Sequence, residues 1–252
     1  MLLAIDAGNT DVKFGIHDNG AWLTIWRVPT SLNVRADDVA ASVLENIKQA
    51  GISGVIDSVG AVSVVPHVNS VIDDVSRKLT EREAFFVSPA SVQTIKVFYK
   101  PTGSLGTDRL ATALGALAQF TAPLIVLDFG SATTIDVITR EGFLGGAILP
   151  GMRMQMESLF RRTAQLPEVD LAFPSNVIGS STVHCIQSGI MFGHLAAVEG
   201  MIDRFTRELK ENTTVVATGG LSPLLIGATE KIHHFVSTLT LDGVVAAMAA
   251  NF

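Results

Sequence analysis

LLAIDAGNTDVKFGIHDNG (residues 2–20) and LIVLDFGSATTIDVITREGFLGG (residues 124–146) decide the fold. Each reads as an apolar strand closed by a carboxylate, Asp6 in the first and Asp128 in the second. A turn of glycine and small polar residues follows, then an alternating strand and a second polar turn. Asp18-Asn19-Gly20 is a hairpin signal leading into a third strand over Ala21–Arg27. The two aspartates stand nearly half the chain apart, which a duplicated α/β domain explains better than chance. The expected organisation is one lobe over residues 1–115 and a second over residues 116–252, with a cleft between them.

The remaining segments fit that scheme. Val39, Val43, Leu44 and Ile47 fall on one face of a helix that Gly51 ends. Gly60–Val65 is a buried strand, and Pro66 opens a helix with an apolar stripe from Val68 to Leu79. Phe85–Val87 is a further strand, and Leu110, Ala113, Leu114 and Leu117 have helical spacing. In the second half a long helix carries Ile186 to Leu209, a strand covers Thr214–Thr218, and a last helix starts near Gly243.

Of 252 residues 48% are hydrophobic and 17% charged, with formal charge −6, so membrane insertion has to be tested first. The longest charge-free stretches, Leu110–Leu127 and Asn212–Thr229, are interrupted by polar residues, glycine and proline. The N-terminal segment meets Asp6 at once and has no signal-peptide pattern. A cytoplasmic protein with no membrane partner is expected. The acidic balance gives no reason to expect nucleic acid. A single cysteine excludes an intramolecular disulfide framework, and Cys185 is expected in a helix core.

Chemistry concentrates at the strand ends. In Asp6–Thr10, Gly8 allows a tight turn, and successive turn N–H groups with Asn9 and Thr10 can cradle an anion. Asp6 could then hold Mg²⁺ bound to phosphates, usually through water, and Lys13 could neutralise phosphate charge. Asp, Gly and Asn also make ordinary hairpin turns. Two further turns, Asp128–Ser131 and Ala217–Gly220, favour the nucleotide reading. No GxxxxGK[ST] or GxGxxG motif supports a P-loop or Rossmann alternative. In Gly106-Thr107-Asp108-Arg109, Asp108 sits at a helix start, either as a simple cap or as a base for a substrate hydroxyl. Arg109 beside it has the planar fork that grips a carboxylate. No histidine spacing or nucleophile elbow points to metal ligation or covalent catalysis.

Three-loop nucleotide binding on duplicated domains suggests the superfamily of acetate and sugar kinases and actin, whose lobes are ribonuclease H-like. More closely, the chain resembles the type III pantothenate kinases. The resemblance rests on an ordered set: DAGNT (6–10), SVVP (63–66), Tyr99 with Pro101, GTDR (106–109), DFGSATTID (128–136), GGAILPG (145–151), GSST (179–182), SG (188–189) and ATGG (217–220). Ser131 stands where many relatives have Thr, and Ser180-Ser181 where Lys-Asn is common. The resemblance implies actin-like domains and ATP-dependent phosphorylation of pantothenate at its terminal hydroxyl, the first step towards coenzyme A. It implies that Asp6, Ala7, Gly8, Asn9, Thr10, Asp11, Val12, Lys13 and Ser131 bind ATP. Tyr99, Gly106, Thr107, Asp108, Arg109 and Thr182 match pantothenate-binding positions, with Asp108 as the base. Asp128 matches a ligand of K⁺ or NH₄⁺, and the family forms homodimers. A non-catalytic regulator and a kinase for another hydroxyl substrate, such as a sugar, are the competing readings.

Overall fold

The computed structural model describes residues 1–31 and 35–251. It divides into two compact units, Met1–Gln119 together with the segment from Thr238 onward, and Phe120–Ser237.

In the first unit β1 (Leu2–Ala7), β2 (Asp11–Asp18), β3 (Ala21–Pro29), β4 (Ser58–Ser63) and β5 (Phe85–Phe86) form a sheet in the order β3-β2-β1-β4-β5. The first three strands are antiparallel, and β4 and β5 add in parallel. Asn19 and Gly20 take positive φ values of 46° and 84°, the conformation a tight β2–β3 turn needs. Leu3, Ile5 and Ala7 face a core with Phe14 and Ile16 of β2 and with Val43 and Ile72. Those last two lie on α1 (Ala36–Gln49) and α2 (Pro66–Thr80).

The opposite face of this sheet is built from small residues. Ala4 of β1 is level with Gly15 of β2 and Gly60 of β4. The row seats α6 (Leu239–Asn251). A Cβ on Gly60 would lie 2.7 Å from Val244, and one on Gly15 would lie 3.2 Å from Leu241. On its other side α6 meets α3 (Thr107–Gln119), where a Cβ on Gly115 would lie 1.9 Å from the Leu239 carbonyl oxygen. The last helix therefore belongs with the first unit, whereas an even split after residue 115 assigns it to the second half. It also begins at Leu239, so Gly243 lies inside it as a contact residue rather than before it.

The second unit repeats the strand order. β6 (Leu124–Phe129), β7 (Ala132–Thr139), β8 (Gly142–Pro150), β9 (Thr214–Thr218) and β10 (His234–Phe235) are arranged β10-β9-β6-β7-β8. Again the first three are antiparallel and the last two parallel. This is the duplication expected from the two quoted stretches. Between β8 and β9 run α4 (Met152–Arg162) and α5 (Thr182–Leu209). By length and composition alone α5 could cross a membrane. Its stripe Ile186, Ile190, Leu195, Val198 and Ile202 is instead packed in the core with Ile125, Leu127 and Val215. Cys185 is exposed, not in the core as expected, because that stripe starts one residue later at Ile186.

Candidate active site

In the first unit, β-sheet register assembles the charged groups. Asp6 at the end of β1 pairs with Lys13 of β2, and Lys13 pairs with Arg27 of β3. On its other side Asp6 is level with Val62 of β4, followed by Ser63. The Ser63 carbonyl accepts a 2.8 Å hydrogen bond from the Thr107 hydroxyl at the start of α3. That bond sets Asp108 close enough to Asp6 for the two carboxylates to interact. Burial pushes the Asp6 carboxyl up to about 6; Lys13 and Arg27 pull it down, and Asp108 pushes it further up.

Asp108 is oriented locally. Its Oδ1 accepts from the Arg109 backbone N–H at 2.8 Å. Gly106 leaves room for that rotamer, since a Cβ there would come within 2.6 Å of Oδ1. Arg109 is buried, with its guanidinium 5.3 Å from the centre of the Tyr99 ring, a cation–π contact that holds the fork in place. The turn after β1 closes through Gly8 N–H to the Asp11 carbonyl at 3.0 Å. Thr30 buttresses it by donating its hydroxyl to the Gly8 carbonyl at 2.7 Å. Gly8 is needed here for close approach, a Cβ falling 3.2 Å from the Asp11 oxygen, and not for a positive φ. Asn9, Thr10 and Asp11 are exposed, while Ala7 and Val12 are buried and serve the sheet.

Of the expected residues the first unit thus brings together Asp6, Lys13, Gly106, Thr107, Asp108, Arg109 and Tyr99. Asp128, Ser131 and Thr182 belong to the second unit. There Gly130 N–H bonds the Ala132 carbonyl at 3.1 Å, closing the turn that exposes Ser131. The Ala217–Gly220 turn lies directly against it. Gly219 has φ +98°, and a Cβ on it would sit 2.5 Å from both Asp128 Oδ1 and the Phe129 backbone. Thr182 is the exposed first residue of α5, next to the Ser181 cap that accepts from the His184 N–H.

The expected cations suit these side chains. Asp6 is a carboxylate whose burial Lys13 and Arg27 only partly offset, and carboxylate oxygen is a ligand type that Mg²⁺ accepts. Asp128 lies against glycine backbone, and a larger monovalent ion uses backbone carbonyls beside a carboxylate. Among the described residues no three His, Cys, Asp or Glu side chains converge to cage a metal. Mg²⁺ would therefore draw most of its shell from phosphates and water.

No motif in the sequence assigns a site role to Arg27, Ser63 or Thr30. Arg27 could have been found by extending the β1–β2 register one strand further. Ser63 lies within the SVVP stretch, but its partner Thr107 is far away in sequence.

The family model described as type III pantothenate kinase matches residues 2–204. A type III pantothenate kinase of Phenylobacterium zucineum is 38% identical over 253 residues, spanning 100% of this chain and 98% of the relative. Among solved structures, a Campylobacter jejuni protein described as a Baf family transcriptional activator has a TM-score of 0.64 at 18% identity, covering 99% of this chain and 98% of that one. A ROK hexokinase of Thermus thermophilus has a TM-score of 0.52 at 15% identity, covering 98% and 97%. The structural likenesses show the actin-like α/β fold alone, and the full-length sequence match is narrower: the chain belongs to the type III pantothenate kinase family.

Proposed function

We propose that the chain transfers the γ-phosphoryl group of ATP to the terminal hydroxyl of pantothenate, giving 4′-phosphopantothenate, the first step towards coenzyme A. The observation that carries the mechanism is the convergence of Asp6, Lys13, Asp108 and Arg109 on one sheet end and one helix start. Asp108 takes the hydroxyl proton as the oxygen attacks phosphorus and the bond to ADP breaks. Arg109, preset by Tyr99, holds the pantothenate carboxylate beside Gly106 and Thr107, and Thr182 of the second unit is a further pantothenate contact by the family resemblance. The Asp6–Lys13 turn and Ser131 hold the nucleotide. Mg²⁺ at Asp6 would neutralise charge on the phosphates, and K⁺ or NH₄⁺ would sit at Asp128. Phosphoryl transfer asks mainly for positioning and charge compensation, which these groups supply. A homodimer in the cytoplasm completes the reading.

Turnover is measured with ATP, Mg²⁺ and K⁺ and a panel of acceptors. Pantothenate is expected to be the best acceptor. Asp108→Asn should lower kcat by about 10²–10⁴-fold while the protein stays folded. Faster turnover on a sugar, or an unchanged rate in the variant, would overturn the assignment.

A further inference from the structure

Among the described residues His194 is the one buried histidine, and the reaction as derived makes no use of it. It lies on α5 within the second unit, and both of its ring nitrogens are engaged. Nδ1 is 2.8 Å from Gln155 Nε2 of α4, and Nε2 is 3.0 Å from the hydroxyl of Thr133 on β7. The ring also packs edge-to-face on Phe129, with centroids 6.2 Å apart.

The protonation pattern follows from one further bond. Gln155 Nε2 also donates to the Pro150 carbonyl at 2.9 Å, and a carbonyl can only accept. The amide nitrogen therefore faces both partners, and Nδ1 of His194 must accept. The single ring proton then sits on Nε2 and is donated to Thr133. A second proton, on Nδ1, would face an N–H of Gln155. Burial also pushes the imidazole below its usual range, consistent with a neutral ring.

What the ring grips is the frame of one turn. Thr133 pairs with Phe129 and so closes the β6–β7 hairpin whose tip is Gly130–Ser131. Pro150 pairs with Ala132 from the other side, and the Gly151 N–H bonds the Ser131 carbonyl at 3.2 Å. His194 thus ties α5 directly to β7 through Thr133 and, through Gln155 of α4, to Pro150 at the end of β8.

We propose that His194, as the neutral Nε2–H tautomer, is a positioning residue for the Gly130–Ser131 turn, acting through Thr133 and Gln155 to set affinity for the nucleoside triphosphate. This rests on the reading of Ser131 as a nucleotide contact. Leucine at 194 leaves the Thr133 hydroxyl and the Gln155 amide without their ring partner and loosens the turn from both sides.

The test uses the full-length protein. His194→Leu should raise KM for ATP about ten-fold, with kcat and KM for pantothenate within about two-fold. Thr133→Val should have a similar effect, and the double variant should be no worse than the more affected single one. His194→Gln, whose amide can still donate to Thr133, should recover part of the ATP affinity. An unchanged KM for ATP in folded His194→Leu, a parallel rise for both substrates, or additive single effects would overturn the proposal. Imidazole ¹⁵N signals of the wild-type protein provide a readout independent of variant folding. They should show Nε2 protonated and Nδ1 bare, and a cationic ring or the opposite tautomer would overturn the proposal. Ser131→Ala tests the underlying reading separately. If it leaves KM for ATP unchanged, the nucleotide assignment of that turn fails, even where the NMR tautomer agrees.

Discussion

Asp6 is held at a thermodynamic cost. A carboxylate at the end of β1 is pushed to about 6 by burial, against an ordinary value of 3.8, although Lys13 and Arg27 both oppose the shift. The native state therefore binds this proton more tightly than the unfolded chain does. The stabilisation from that proton is fully present below pH 3.8 and is lost as pH rises through about 6. At pH 8 the unliganded protein carries the whole penalty, on the order of 2–3 kcal/mol. Asp6→Asn, which keeps the shape and removes the charge, should raise Tm at pH 8 and give little gain at pH 4. The same variant should lose kinase activity. Thermal melts of both proteins across this range check the prediction; an equal or lower Tm for the variant at pH 8 would refute it. A residue that destabilises the unliganded protein in this way fits the cation role proposed for Asp6 above.

At the scale of elements, α6 depends on what is missing beneath it. The row Gly15–Ala4–Gly60 across three strands, with Gly115 on α3, lets one apolar helix press between sheet and helix. Gly115→Ala puts a methyl group 1.9 Å from a backbone oxygen, which cannot rotate away, so the helices must separate. The expected loss is about 1–3 kcal/mol, read as a Tm lowered by several degrees. Gly193 is the contrasting case, exposed in the middle of α5 with no atom near its would-be Cβ. Gly193→Ala should stabilise by about 0.5–1 kcal/mol, since alanine only improves the helix. Differential scanning calorimetry of the pair decides; a stabilised Gly115→Ala would refute the packing argument. The contrast also marks where sequence reading stops. The strands around Asp6 and Asp128 were legible because alternation, Asn19-Gly20 and the strand-end carboxylates are local signals. The seat of α6 was not, because Ala4, Gly15 and Gly60 form a row only once register is known. The site divides the same way: Asp6, Asp108 and Arg109 carry their chemistry within short motifs. Arg27, Gln155 and His194 acquire a role only from partners on other elements.

At the scale of the whole molecule, two units with the same strand order have diverged in chemistry and in surface. The first holds the paired acidic and basic groups; the second holds the Ser131 turn and most of the exposed apolar side chains. Apart from Leu23, Leu44 and Val55, the large hydrophobic residues exposed among the described residues all lie in the second unit. They include Ile148 at the end of β8, Met154 and Phe160 on α4, and Val177, Ile178 and Val183 around the start of α5. Ile178 is 89% exposed and Ile148 60%, a poor arrangement for an isolated subunit in water. Single exposed apolar residues need no explanation, but a concentration in one of two duplicated units does. The homodimer proposed above is therefore expected to associate through the second unit, since a two-fold interface buries the same surface on both subunits. Sedimentation equilibrium should then give a dimer for the wild type. Ile148→Asp and Ile178→Asp, each at a site with no role in the subunit core, should shift it towards monomer while the subunits stay folded. Leu44→Asp on α1 provides the control, being similarly exposed but in the other unit, and should leave the dimer intact. If the two second-unit variants sediment as wild type, or if Leu44→Asp dissociates the dimer instead, the association face lies elsewhere.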